Sequence, residues 1–236
     1  MTDPRIQAAT EAELARHTQA ILNIQKAGNP LPYLLENIKL TLPVNDNKQL
    51  SGLASEIYLP ELFYYQDEWF YRDGDAFVFV CPASGAKTDN TDYCRTELYS
   101  LDKFSCNDVR SNSRTIIIDE LAVKGKTVVH QIHDQSNPWV KITTDMGTDG
   151  IRIRALVNAF GSSPKYELTY PKRIALGEAF KSTIEWDGKN KKLACFVNDD
   201  IIVDAVPLPR DDLKAIAGFK FGNYGQASAC KLRHIG

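Results

Sequence analysis

From residue 31 to the C-terminus, apolar and polar residues alternate in short runs broken by turn residues, a period of two rather than 3.6. A strand with one face against a core and one face in solvent produces this alternation. Such runs cover residues 38–43, 68–71, 76–81, 93–101, 114–123, 127–133, 140–144, 150–158, 165–169, 180–187, 192–197, 201–206 and 217–224. Asp187-Gly188-Lys189-Asn190 carries the residues of a hairpin turn between two of them. Before residue 31 the period changes. Ile6, Leu14, Ile21 and Ile24 fall at helical intervals, Thr2 or Asp3 offers a cap, and Pro4 suits a first turn. Gly28-Asn29-Pro30 is a stop, so the pattern predicts a helix over 3–27. The expected plan is an N-terminal helical extension, 1–30, followed by one all-β domain, 31–236. Many short, evenly spaced strands predict a jelly-roll β-sandwich.

Composition narrows the options. Hydrophobic residues make up 43% and charged residues 25% of 236, which describes globular material and excludes disorder, collagen and coiled coil as whole-chain states. No run of about 18 apolar residues is present to form a membrane-spanning helix. A net charge of -2 removes the global signature of a nucleic-acid binder. The five cysteines, Cys81, Cys94, Cys106, Cys195 and Cys230, are too scattered for a disulfide scaffold and show no zinc-ligand spacing. A disulfide is compatible with them, but spacing does not choose a pair. The first residues lack a basic stretch followed by an apolar run, so they do not read as a leader.

Candidate chemistry comes from faces. Residues two apart on a strand share a face. Tyr93, Arg95, Glu97 and Tyr99 share one, with Cys94, Thr96 and Leu98 turned to the core. Val129, Gln131 and His133 share another, opposite Val128, His130 and Ile132. Arg152 and Arg154 face away from Ile151 and Ile153, and Lys220, Tyr224 and Gln226 line a face with a gap at Gly222. On one concave sheet these faces would make a groove of cations, aromatic rings and amides. Cations pair with carboxylates and aromatic faces stack on sugar rings, so the groove suits a polyanionic sugar.

Together these segments resemble the alginate lyases of polysaccharide lyase family seven. Arg95-Thr96-Glu97-Leu98 is similar to the family's R-[ST]-E-L-R strand, and Gln131-Ile132-His133 to its Q-[IV]-H. Phe219-Lys220-Phe221-Gly222-Asn223-Tyr224-Gly225-Gln226 is similar to its Y-F-K-x-G-x-Y-x-Q. The three occur in the family's order, and the likeness spans about residues 37–230. Two positions depart from it: Tyr99 stands where the first motif closes on arginine, and Gly218 where the third opens on tyrosine.

The resemblance implies β-elimination on a uronate polymer, with no metal and no cofactor. Arg95 and Gln131 are the groups expected to neutralise the carboxylate of the sugar being cut. His133 is the expected base at C5, and Tyr224 the expected acid at O4, or acid and base for one C5 epimer. Glu97, Tyr99, Lys220, Gln226, Arg152 and Arg154 are the expected substrate contacts. The partner is then an anionic polysaccharide, with no nucleic acid or membrane, handled by a monomer. A polymer too large to enter a cell implies a secreted or periplasmic enzyme.

Rival readings remain at this level. Glu185-Trp186-Asp187 superficially resembles a glycoside hydrolase strand, but Asn190 stands where a second carboxylate is needed. A non-catalytic carbohydrate-binding module would not require Gln131, His133 and Tyr224. Glucuronan or another polyuronate could replace alginate as substrate, and the resemblance implies guluronate-containing chains from isoleucine, Ile132, at the middle of Q-[IV]-H.

Overall fold

A computed structural model describes residues 37–89, 91–134, 137–158, 165–208 and 216–235. The helix expected over 3–27 lies outside the described residues. The remainder follows the alternation. The strands are β1 (Ile38–Thr41), β2 (Glu56–Tyr58), β3 (Phe70–Asp73), β4 (Ala76–Cys81), β5 (Thr96–Ser100) and β6 (Phe104–Ser105). β7 (Val109–Leu121), β8 (Lys126–Asp134), β9 (Pro138–Gly147), β10 (Gly150–Asn158) and β11 (Lys165–Thr169) follow. The chain continues with β12 (Ala179–Asp187), β13 (Lys192–Val197), β14 (Asp200–Pro207), β15 (Ile216–Gln226) and β16 (Cys230–Ile235).

They form two antiparallel sheets. One runs β11-β10-β9-β8-β15-β5-β1-β2, with β6 paired to β15; the other runs β14-β13-β12-β7-β16-β4-β3. This is a jelly-roll β-sandwich. In β12, Phe180, Ser182, Ile184 and Trp186 turn inward while Ala179, Lys181 and Glu185 face solvent. The core between the sheets holds Leu40, Phe70, Phe79, Leu98, Ile116, Ile142, Phe180 and Phe221. Each such side chain contributes about 1.5–3 kcal/mol by burial. Trp139 and Trp186 meet at 5.0 Å, and each indole N–H is satisfied, by Asp134 Oδ2 and by the Cys106 carbonyl.

Three strands escape the period-two reading. β2 is only three residues long. β6 is shorter still, with two. In β16 the inward positions are Cys230, Leu232 and His234, and a buried histidine breaks the apolar pattern. β7 starts at Val109 rather than 114, because pairing of Val109–Ser113 with β12 holds a Ser- and Asn-containing stretch that reads locally as loop. β3 starts at Phe70 rather than 68, since Asp67 Oδ1 accepts from the amides of Trp69 and Phe70 and turns the chain there.

Polar groups inside the sandwich are specifically paired. His130 Nε2–H donates to Asn112 Oδ1, and Ser182 donates to His130 Nδ1, each at 3.1 Å. Asn223 takes a hydrogen bond from Thr127 and donates to the carbonyls of Phe79 and Cys230. It thereby ties β15 to the opposite sheet at an irregularity between Phe221 and Tyr224. Gly222 lies there at φ +137°, where a Cβ would fall 2.6 Å from the Thr96 carbonyl oxygen. All five cysteines are free and buried, and Cys81 and Cys94 bring their Sγ atoms to 3.5 Å.

Candidate active site

The outer face of the nine-stranded sheet carries the charged cluster. β5, β15 and β8 are neighbours, although their sequences are far apart. Register sets Lys220 opposite both Tyr99 and Gln131, Gly222 opposite Glu97, and His133 opposite Gly218. Inward alternates on these strands are Leu98, Phe221 and Ile132, so Glu97, Lys220, Gln131 and His133 share the outer side.

One alternation differs from expectation. The pairing of β8 with β9 slips between Val128 and His130. This bulge turns Val129 into the core and leaves Val128 beside Tyr224 and Thr143. Val129 therefore does not share a face with Gln131 and His133.

Glu97 is the hub. Its carboxylate accepts from Arg95 Nη1 at 3.1 Å and from the Gln131 amide, and lies 3.9 Å from Lys220 Nζ. Arg95, Glu97 and Lys220 side chains are only 7%, 3% and 11% exposed, so these charges act in a low-dielectric setting. Arg95 Cζ stacks 4.1 Å from the Tyr224 ring centre. Its Nε and Nη2 have no hydrogen-bond partner among the described residues, two directed donors open to an acceptor. Two cations against one carboxylate leave the cluster net positive.

His133 sits one alternate position beyond Gln131. Its Nδ1 bonds the Asp134 carbonyl, and since a carbonyl only accepts, the proton is on Nδ1 and the lone pair on Nε2, which has no hydrogen-bond partner among the described residues. Burial, with Lys220 nearby, pushes its pKa down to about 4, so the ring is neutral at neutral pH. Burial raises the Tyr224 phenol, opposed by Arg95, and keeps it protonated. Burial lowers Lys220 to about 8 and raises Tyr99 to about 12. Tyr99 Oη reaches the His133 carbonyl at 3.5 Å. Gln226 lies near Tyr224 and slightly favours its phenolate.

Arg152 and Arg154 lie on the same face but on β10, three strands from β15, or about 14 Å. Both pair with Asp145, and Arg154 also pairs with Glu167. Their charge is largely compensated within the chain. Glu185 faces outward from the other sheet, and Asp187 accepts from the amides of Lys189 and Asn190 to hold the hairpin turn. No carboxylate pair of the glycosidase kind forms there. Two cations at the cluster were not singled out from sequence. Lys39 alternates outward from Ile38 and Leu40 and so was visible in the pattern; Lys103 lies just after β5 and carried no signal.

A family model described as alginate lyase matches residues 34–234. Among solved structures, an alginate lyase of polysaccharide lyase family 7 superimposes with a TM-score of 0.70 at 24% identity, covering 85% of this chain and 92% of that one. Variants of that enzyme have been solved with a substrate (GGMG) and with a product (GGG). An alginate lyase from Pseudomonas aeruginosa gives a TM-score of 0.72 at 21% identity, covering 87% and 96%. Another family 7 alginate lyase gives 0.65 at 26% identity, covering 88% and 96%. Comparison with curated proteins gives no match.

Proposed function

Because the chain belongs to the alginate lyase family, its activity is cleavage of alginate as a polysaccharide lyase, and we propose the following assignment of its residues to that chemistry. The C5 proton of a uronate lies next to a carboxylate and is very weakly acidic. Its removal becomes feasible when the carboxylate charge is neutralised, a base reaches C5 and an acid meets O4. Arg95 binds that carboxylate through Nε and Nη2, the donors left open by Glu97. Gln131, oriented by the same Glu97, adds an amide contact. Lys220 supplies further positive charge.

His133 Nε2 takes the C5 proton. The electron pair forms the C4–C5 double bond, the C4–O4 bond breaks, and Tyr224 protonates O4. A base with a pKa of about 4 is neutral but weak. The incoming substrate carboxylate corrects this, because a negative charge beside the imidazole favours its protonated form and raises its basicity. Arg95 over the Tyr224 ring favours the phenolate left after proton donation.

The observation that carries this reading is the tautomer of His133, fixed with its lone pair open beside a cationic cluster that has unused donors. The anionic polymer substrate argues for a secreted or periplasmic setting. The test follows ultraviolet absorbance of the unsaturated uronate on mannuronate-rich, guluronate-rich, mixed and glucuronan polymers. His133→Ala and Tyr224→Phe are each expected to lower kcat by about 10²–10⁴-fold. Full activity in either variant removes that residue from its role.

A further inference from the structure

One rung of the nine-stranded sheet runs outward from the catalytic cluster with a regular chemical alternation. Register places Gln131, Lys220, Tyr99, Lys39 and Tyr58 side by side on β8, β15, β5, β1 and β2. Cation and aromatic ring alternate along it. Lys220 Nζ lies 4.5 Å from the Tyr99 ring centre, and Lys39 Nζ lies 5.6 Å from that of Tyr58. Four strand spacings separate Gln131 from Tyr58, about 19 Å, the reach of a short oligouronate.

A further cation reaches this rung from outside the strands. Lys103 Nζ rests 3.1 Å from the Tyr99 ring centre and donates to the Ser100 carbonyl at 2.9 Å. The space it uses exists because residue 218 is glycine: a Cβ there would come within 3.0 Å of Lys103 Nζ. Lys103 makes no ion pair with any described residue, its contacts being the Tyr99 ring and the Ser100 carbonyl, whereas Lys39 is held by Glu56 at 2.6 Å. An ammonium fixed on a ring, with no carboxylate of its own, matches a ligand that brings one. Tyr58 is 47% exposed at the edge strand, with its ring open to stacking.

We propose that Lys103, seated on Tyr99, and Tyr58, backed by Lys39, form a distal subsite that takes sugars of the uronate chain beyond the one being cleaved. Lys103 binds a carboxylate of that segment, and Tyr58 stacks on a sugar face further along. This rests on the lyase reading, since the polymer's path is anchored at Arg95 and Gln131. The groups facing Lys103 are Tyr99, Lys220 and Lys39; burial first, then the charges of Lys220 and Lys39, lower its pKa to about 7. An incoming carboxylate relieves that repulsion.

The test compares an alginate trisaccharide with a hexasaccharide. Calorimetric binding uses the His133→Ala protein, whose turnover is slowed by about 10²–10⁴-fold, and kinetics use the active enzyme. Lys103→Met keeps the aliphatic stem and removes the charge. The hexasaccharide's affinity advantage over the trisaccharide is expected to shrink about tenfold with Lys103→Met and about threefold with Tyr58→Ala. The kcat/KM ratio for the two lengths should shift in parallel, and Lys103→Arg should restore most of it. Both variants are exposed positions, and an unchanged thermal midpoint confirms folding. A hexasaccharide-to-trisaccharide ratio unchanged by either substitution overturns the subsite, as does an equal loss for both lengths. Absence of cleavage by the unsubstituted enzyme on any polyuronate would instead overturn the lyase reading itself.

Discussion

Replacing Glu97 by glutamine keeps the shape of the hub and removes its charge. The carboxylate faces Arg95 at 3.1 Å and Lys220 at 3.9 Å. At an effective dielectric near 20, those attractions amount to about 5 and about 4 kcal/mol before desolvation is counted. Burying three charges offsets most of this, but removing one partner leaves two buried cations without compensation. The net loss expected for breaking such a buried pair is about 3 kcal/mol. That is a large part of a typical domain's 5–15 kcal/mol. A second consequence is specific to this arrangement. Glu97 supports the charge on Lys220, whose pKa burial has already lowered to about 8. Without it, Lys220 loses its proton at lower pH, and the alkaline limb of kcat/KM moves acidward by about one unit or more. Urea unfolding gives the stability change, and initial rates across pH give the limb. An unmoved limb, or a loss below about 1 kcal/mol, would refute the idea that Glu97 organises this cluster.

The unsubstituted enzyme should show a kcat/KM plateau bounded by two free-enzyme groups: a fall below about 4 as His133 takes a proton, and a fall above about 8 as Lys220 loses one. An acid limb at 6.5 would contradict the buried setting of His133. Stability should fall with acid for a separate reason. His130 and His234 are fully buried and their pKa values are lowered, His234 to about 3, so below 6.5 the unfolded chain binds protons that the folded chain does not. Each contributes a slope of about 1.4 kcal/mol per pH unit in that window, and denaturant midpoints between pH 7 and 5 measure it. Gly222→Ala should cost about 2–4 kcal/mol, because a positive φ coincides with a Cβ pressed on the Thr96 carbonyl. Chemical denaturation measures this, and a change under about 0.5 kcal/mol would show that β15 and β5 can part there.

Much of this molecule is legible along the chain because strand alternation is local. Period two in β12, β13 and β1 sorts core from surface without knowledge of any partner. The same rule puts Arg95 and Glu97 on one face, Gln131 and His133 on one face, and Lys220 in line with Tyr224. Tertiary structure decided what stands beside what. Only the order β8-β15-β5-β1-β2 makes Glu97 the shared partner of Arg95, Gln131 and Lys220, or sets Lys103 in the space above Gly218. Asp145 and Glu167, brought across from neighbouring strands, neutralise arginines that look free in sequence. The bulge at Val128–His130 reverses a face that strict alternation had assigned, and the inward His234 hides a strand. The physical reason is common to all of these. A side chain's direction follows from its neighbours along the chain, but its charge, protonation and hydrogen bonds follow from groups that reach it through pairing and packing across the sheet.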